Sequence, residues 1–198
     1  GQQWELTRGR NSQPYASTEK CFTDQGDEFH MPTQFDFAQS FTGSPLTVFA
    51  MLSQEDFILA KCSATGSLSA EASVAQVPID GGETVTLIST RVLPADLPGP
   101  ARSLVGDTIT VTETQIWTPP APDGSRTATI TVDFSAPMTF SGTLHLSPGD
   151  QATTTITTRG KFTASVPFIG GKIEKVAAEQ TQRYLVAEER VGNEWLAD

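Results

Sequence analysis

The sequence predicts an α+β protein in which a curved antiparallel sheet of about seven strands wraps on one long C-terminal helix. Three observations predict this. Residues 68 to 166 are dense in Thr, Val and Ile, alternate polar with apolar positions, and are broken by Gly- and Pro-containing turns. One strand and two short helical segments precede that stretch, and a single amphipathic segment from Gly171 to about Leu196 follows it. At 1.5 Å per residue the last segment is roughly 39 Å long, enough to cross a sheet whose ten-residue strands cover about 33 Å.

Residues 1–30 have neither helical nor strand periodicity and read as an unstructured tail. Their junction, Glu28-Phe29-His30-Met31, matches what two common cloning sites encode in frame, so the tail reads as vector-derived ahead of a native Met31; a natural extension is the alternative. The domain is then residues 31–198. Phe35, Phe37, Gln39 and Phe41 recur at every second residue, as on a strand with one buried face. Ser44-Pro45 places a capping hydroxyl before a proline, and Leu46, Phe49, Ala50 and Leu52 follow at helical spacing. Ser53 to Asp56 starts a second short helix that ends near Gly66.

Three turn tetrads, Asp80-Gly81-Gly82-Glu83, Pro122-Asp123-Gly124-Ser125 and Ser147-Pro148-Gly149-Asp150, divide the Thr-rich stretch into hairpins. Most of the 27 Thr fall on one parity, as on a solvated sheet face. Thr108, Thr110, Thr112 and Thr114 oppose Ile109, Val111 and Trp117, while Thr127, Thr129 and Thr131 oppose Ile130, Val132 and Phe134. Phe140, Leu144 and Leu146 face inward on the next strand, and Ile156, Gly160, Phe162, Ala164 and Val166 on the last. In the terminal helix Ile173, Val176, Ala177, Gln180, Tyr184, Ala187, Val191 and Trp195 form a stripe at spacings of three and four.

Composition removes several functions. A formal net charge of −10 offers no broad basic surface for a phosphate backbone, so nucleic acid is not an expected partner. No apolar run is long enough to span a bilayer and the first residues lack a signal-peptide core, so a cytoplasmic protein without stable membrane insertion is expected. Cys21, Cys62, His30 and His145 are the whole complement of Cys and His, and none has metal-ligand spacing. Neither a metal nor a cofactor is expected, and the cysteines read as spare thiols.

Four stretches carry a resemblance: LPADLPGPARSLVGDTITVTETQIW (Leu93 to Trp117), PDGSRTATITV (Pro122 to Val132), VPFIGGKIEK (Val166 to Lys175) and AEERVGNEWL (Ala187 to Leu196). With the element order they make residues 33–196 similar to the START-like (SRPBCC, helix-grip) superfamily, and at motif level to one bacterial family of unknown function within it. The resemblance implies a helix-grip fold and transfers no catalytic residue.

Such a fold encloses more volume between sheet and helix than side chains need fill, and the inward row is expected to line an apolar cavity. From the sheet these residues are Ile109, Val111, Trp117 and Val132, then Phe134, Phe140, Leu144 and Phe162; from the helix they are Val176, Gln180 and Tyr184. Each can equally be an ordinary core residue. Polar residues on the apolar row carry more information, because a buried carboxylate or amide needs a partner. Glu113 and Gln115 share the parity of Val111 and Trp117, and Tyr184 and Gln180 are their expected partners; a bulge that flips the parity would instead put Glu113 in water. Arg91 is a further candidate on the preceding strand, where either face is open to it.

Ala95 to Gly106 reads either as a lid over the cavity mouth or as a plain connection. Gly170-Gly171-Lys172 lacks the frame of a phosphate-binding loop and reads as a tight start to the helix. Binding, and with it transport, of a hydrophobic small molecule or lipid is the leading functional expectation. The alternatives are a polyketide cyclase or aromatase type of enzyme, which would need Glu113, Tyr184 or Arg91 to converge around one ligand position, and an interaction module with a closed core. The ligand and the oligomeric state are not fixed by the sequence.

Overall fold

Phe35, Gln39 and Phe41 turn inward from β1 (Thr33–Thr42), as their alternation requires. The computed structural model describes residues 31–97 and 99–198. The expected tail, with Cys21 and His30, and Pro98 of the expected lid lie outside the described residues.

After β1 come α1 (Pro45–Leu52), capped by the Ser44 hydroxyl accepting from the Thr47 N–H at 3.2 Å, and α2 (Glu55–Ala64). Six more strands follow: β2 (Ser69–Ile79), β3 (Gly82–Pro94), β4 (Thr108–Trp117), β5 (Arg126–Phe134), β6 (Met138–Pro148) and β7 (Thr153–Ala164). They form one curved antiparallel sheet in the order β1-β7-β6-β5-β4-β3-β2. The alternation places Thr127, Thr129 and Thr131 in solvent and Ile130 and Val132 inside, as expected. The segment between β3 and β4, expected to be a lid or a plain connection, holds a third short helix, α3 (Gly99–Val105). Ala95 and Ala101 anchor it in the core, and the Ala95 N–H donates to the Asp107 carbonyl across its base.

The curvature has a local cause. Gly142 on β6 faces Gly160 on β7, and a methyl on either would overlap the opposite strand's backbone, on the Arg159 and Ser141 carbonyl oxygens. The two strands therefore approach more closely here than side chains would allow, and the rings of Phe140 and Phe162 pack beside them at 4.7 Å between centroids.

The helix α4 (Gly170–Ala197) lies on the concave face. Its buried line is Ile173, Glu174, Ala177, Leu185, Glu188 and Gly192, rotated from the expected stripe. Of that stripe Gln180 and Trp195 are exposed and Val176, Tyr184, Ala187 and Val191 are half-buried. The reason is that the side facing the sheet carries two carboxylates and a glycine, which an apolar stripe cannot reveal. Gly192 lets the helix backbone rest against the Phe41 ring, where a methyl would clash. Glu174, fully buried, accepts from the Thr33 N–H at 2.9 Å, the Thr33 hydroxyl at 3.0 Å and the Ala164 N–H at 2.9 Å. One carboxylate thus fixes the start of α4 to the beginning of β1 and the end of β7.

Removing that carboxylate strands two backbone donors in the interior. Glu174→Ala is expected to lower the unfolding free energy by about 2–4 kcal/mol, read from urea denaturation, with unchanged far-ultraviolet dichroism at low temperature.

Candidate functional site

Between α4 and the sheet lie two adjoining spaces. The inner one is a chamber of about 80 Å³, lined by Val132, Phe140, Leu144, Phe162 and Trp117 of the sheet and by a set of polar side chains. The outer one is a cleft of about 680 Å³, open on one side, bounded by Leu93, Pro94, Ala95, Leu97, Ile109 and Met138 and by Ala177 and Ala187 of α4. Arg91, Val111, Phe134, Thr181 and Tyr184 line both and form the partition.

The parity of β4 runs without a bulge through the residues in question. Each of Val111, Glu113, Gln115 and Trp117 therefore turns into the chamber. Their bonding differs from expectation. Glu113 accepts from the Gln115 amide at 2.6 Å, and the Gln115 carbonyl accepts from the Trp117 indole N–H at 2.8 Å, so the three satisfy one another along one face of the strand. Gln180 meets neither Glu113 nor Gln115 and lines the outer cleft instead, donating to the Asp96 carbonyl at 2.9 Å at its rim. Val176 is half-buried and lines neither space.

The structure adds polar groups that the sequence reading missed. Lys61, from the last turn of α2, is buried and pairs with Glu188 of α4 at 2.6 Å. Gln39 of β1 donates to the other Glu188 oxygen at 3.0 Å and to the Leu185 carbonyl at 2.9 Å. Gln39 was findable, since it sits between Phe37 and Phe41 on a buried parity, the same mark that singled out Glu113. Lys61 carried no such mark, because a basic residue in the last turn of a helix is an ordinary solvated one. Thr158 of β7 also lines the chamber, on a parity shared with Ile156 and Phe162.

Electrostatics follow from burial. Burial works to discharge Lys61, but the Glu188 carboxylate, with Tyr184 and Glu113 nearby, reverses this and holds its pKa above the ordinary lysine range. Burial likewise works against Arg91, and Tyr184 and Glu113 raise it on balance. Its guanidinium lies over the Tyr184 ring at 3.8 Å from the centroid, with Lys61 at 5.9 Å. The Tyr184 phenol is pushed up to about 12 by burial, partly offset by the two cations. It is a neutral hydrogen-bonding group rather than a base. Burial also raises the Cys62 thiol, which keeps it an unreactive member of the core. Among the described residues no cluster of three or more His, Cys, Asp or Glu could hold a metal ion, and no helix is long and apolar enough to cross a membrane.

A family described as a protein of unknown function (DUF2505) matches residues 36–196. The chain belongs to this family. Curated relatives include the uncharacterized protein Rv0481c of Mycobacterium tuberculosis and a counterpart in Mycobacterium bovis, each 26% identical over 173 residues and covering 85% of this chain and 99% of their own. Among solved structures, a protein of Thermus thermophilus aligns with a TM-score of 0.54 at 13% identity, covering 82% of this chain and 95% of its own. The Zhui aromatase/cyclase from a Streptomyces species aligns at 0.53 and 9%, covering 82% and 92%. A START superfamily protein of Mycobacterium smegmatis aligns at 0.50 and 12%, covering 82% and 98%. At these identities the likeness is one of fold, and the DUF2505 chain has the START-like, helix-grip architecture that its element order predicted.

The buried phenol gives a pH signature. Its folded-state pKa lies above the ordinary 10, so stability from this group is fully present below pH 10 and is lost as pH rises from 10 through about 12. Of the two tyrosines, Tyr15 is removed by Tyr15→Phe; absorbance at 295 nm of that variant is then expected to titrate near 12 rather than 10, and Tyr184→Phe is expected to lessen the alkaline loss of stability.

Proposed function

We propose that the protein binds a hydrophobic small molecule or lipid between the sheet and α4. The observation that carries this reading is the outer cleft, whose volume of about 680 Å³ lies in the range of small-molecule sites and whose walls are mostly apolar. Of its polar groups, Arg91 and Tyr184 stand at the partition with the inner chamber, where a few placed polar atoms can orient an apolar ligand, and Asp96, Gln180 and Arg183 also line it. An open cleft of this size weighs against a closed interaction module, whose interior would be filled. Transport is an extension of the same reading: the ligand is held without covalent chemistry and handed on.

Native mass spectrometry of the purified protein, followed by organic extraction, tests the reading. A stoichiometric apolar adduct is expected, or uptake of one from a lipid and polyketide panel. Ala187→Phe, which fills the cleft from a half-buried position on α4, is expected to weaken uptake at least tenfold without loss of fold; unaltered uptake would put the ligand elsewhere.

An enzyme of the cyclase or aromatase type is favoured by one observation, the convergence of Arg91, Glu113 and Tyr184 on a single chamber. With the Tyr184 phenol held protonated, Glu113 is the available general acid or base. Glu113→Gln discriminates. A binding protein keeps its ligand affinity within a few-fold, whereas an enzyme loses about 10²-fold or more in turnover.

A further inference from the structure

The inner chamber holds two cations and two carboxylates, Lys61 and Arg91 against Glu113 and Glu188, so their formal charges cancel. Their contacts are not evenly shared. Glu188 is taken up by Lys61 and Gln39, and Glu113 by the Gln115 amide. Among the described residues no carboxylate lies within ion-pairing distance of Arg91, and its Nη1 is buried without a hydrogen-bond partner. The Tyr184 ring covers the flat face of the guanidinium but cannot accept its in-plane N–H groups. A buried donor of this kind costs free energy until an acceptor reaches it. Arg91 lines both spaces, so an acceptor arriving through the outer cleft meets its side chain at the partition and reaches the covered Nη1 once the guanidinium shifts toward it.

We propose that the ligand carries an uncharged hydrogen-bond acceptor, a ketone, ester or amide carbonyl, seated on Arg91 Nη1 with its apolar remainder in the outer cleft. This rests on the reading that the cleft holds an apolar ligand, and adds the chemical class of its polar end. Three considerations select a carbonyl. A carboxylate or phosphate would add net negative charge to a chamber that is already balanced, in surroundings of low dielectric constant. A hydroxyl would bring its own donor, which needs another acceptor. A carbonyl oxygen meets the orphaned N–H and adds neither charge nor donor.

The test uses three ligands with the same chain length, 2-undecanone, undecane and undecanoate, displacing the neutral fluorophore N-phenyl-1-naphthylamine. The ketone is expected to compete about tenfold more strongly than the alkane, the value of one hydrogen bond to a charged donor, and more strongly than the carboxylate. Arg91→Met is expected to abolish the gap between ketone and alkane. Should that variant not fold, Arg91→Lys, which keeps the charge but loses the planar donor array, is expected to narrow the gap. The infrared carbonyl stretch of bound 2-undecanone in the unaltered protein supplies an independent reading and is expected to fall in frequency. Tightest binding of undecanoate would overturn the proposal in favour of an anion site. Equal binding of all three, or an unshifted carbonyl stretch, would overturn it while leaving the cleft's affinity for apolar molecules intact. Failure of the fluorophore and of all three ligands to bind would overturn both.

Discussion

Strand β1 lies at an edge of the sheet, so one row of its backbone groups has no neighbouring strand, and α4 supplies partners at one end of that row. Glu189 accepts from the Ser40 N–H at 2.8 Å, Asn193 accepts from the Thr42 N–H at 2.8 Å while donating to the Ser40 carbonyl at 3.0 Å, and Glu174 caps the other end of the β1–β7 pair through the Thr33 and Ala164 N–H groups. An exposed edge invites pairing with another chain, and here a helix covers it with side-chain oxygens in place of a strand. These bonds are directional, so they set the rotation of α4 about its own axis as well as its position. The rotation in turn decides that Tyr184, Leu185 and Glu188 look into the interior and that Gln180 looks along the rim.

The chamber inherits its chemistry from that rotation. Glu188 reaches the interior only because the helix is turned this way, and an isolated buried carboxylate would be untenable without Lys61 and Gln39 on either side of it. Replacing such a pair with apolar residues of similar volume is often neutral or stabilising. The ionic hub is therefore costly to keep, and it lines the chamber. That placement fits a role in the cavity's polarity more than one in cohesion. The same holds for Arg91, whose guanidinium rests on a ring face rather than on a carboxylate.

Apolar packing is concentrated where the sheet is most tightly drawn together. The glycine pair at Gly142 and Gly160 brings β6 and β7 close, and the aromatic cluster fills the space beside it. At the far end Phe49 packs edge-on against Trp117 at 5.4 Å, with the Arg126 guanidinium 3.8 Å above the Phe49 ring. Only the inner chamber lies between these two plugs; the outer cleft opens under α4 at the Ile109 and Met138 ends of β4 and β6.

The sequence by itself determined the strands, the hairpins, the short helices after β1 and the terminal helix, because period-two and period-3.6 alternation and turn chemistry are local properties of the chain. It also marked Glu113 and Gln115 as polar residues on an apolar row, but it left open a bulge that would expose Glu113 and could not choose a face for Arg91, because both parities of that strand carry apolar residues. The tertiary structure alone decided the rest. The face α4 presents is set by hydrogen bonds to β1, 141 residues away in the chain for Glu174 and Thr33, and no periodicity within the helix encodes them. Lys61 and Glu188 are ordinary apart and acquire meaning only when α2 and α4 meet, because the favourable term is a Coulombic contact between distant segments. The division of the interior into a polar chamber and an apolar cleft is likewise a property of packing, fixed by where Arg91 and Tyr184 come together.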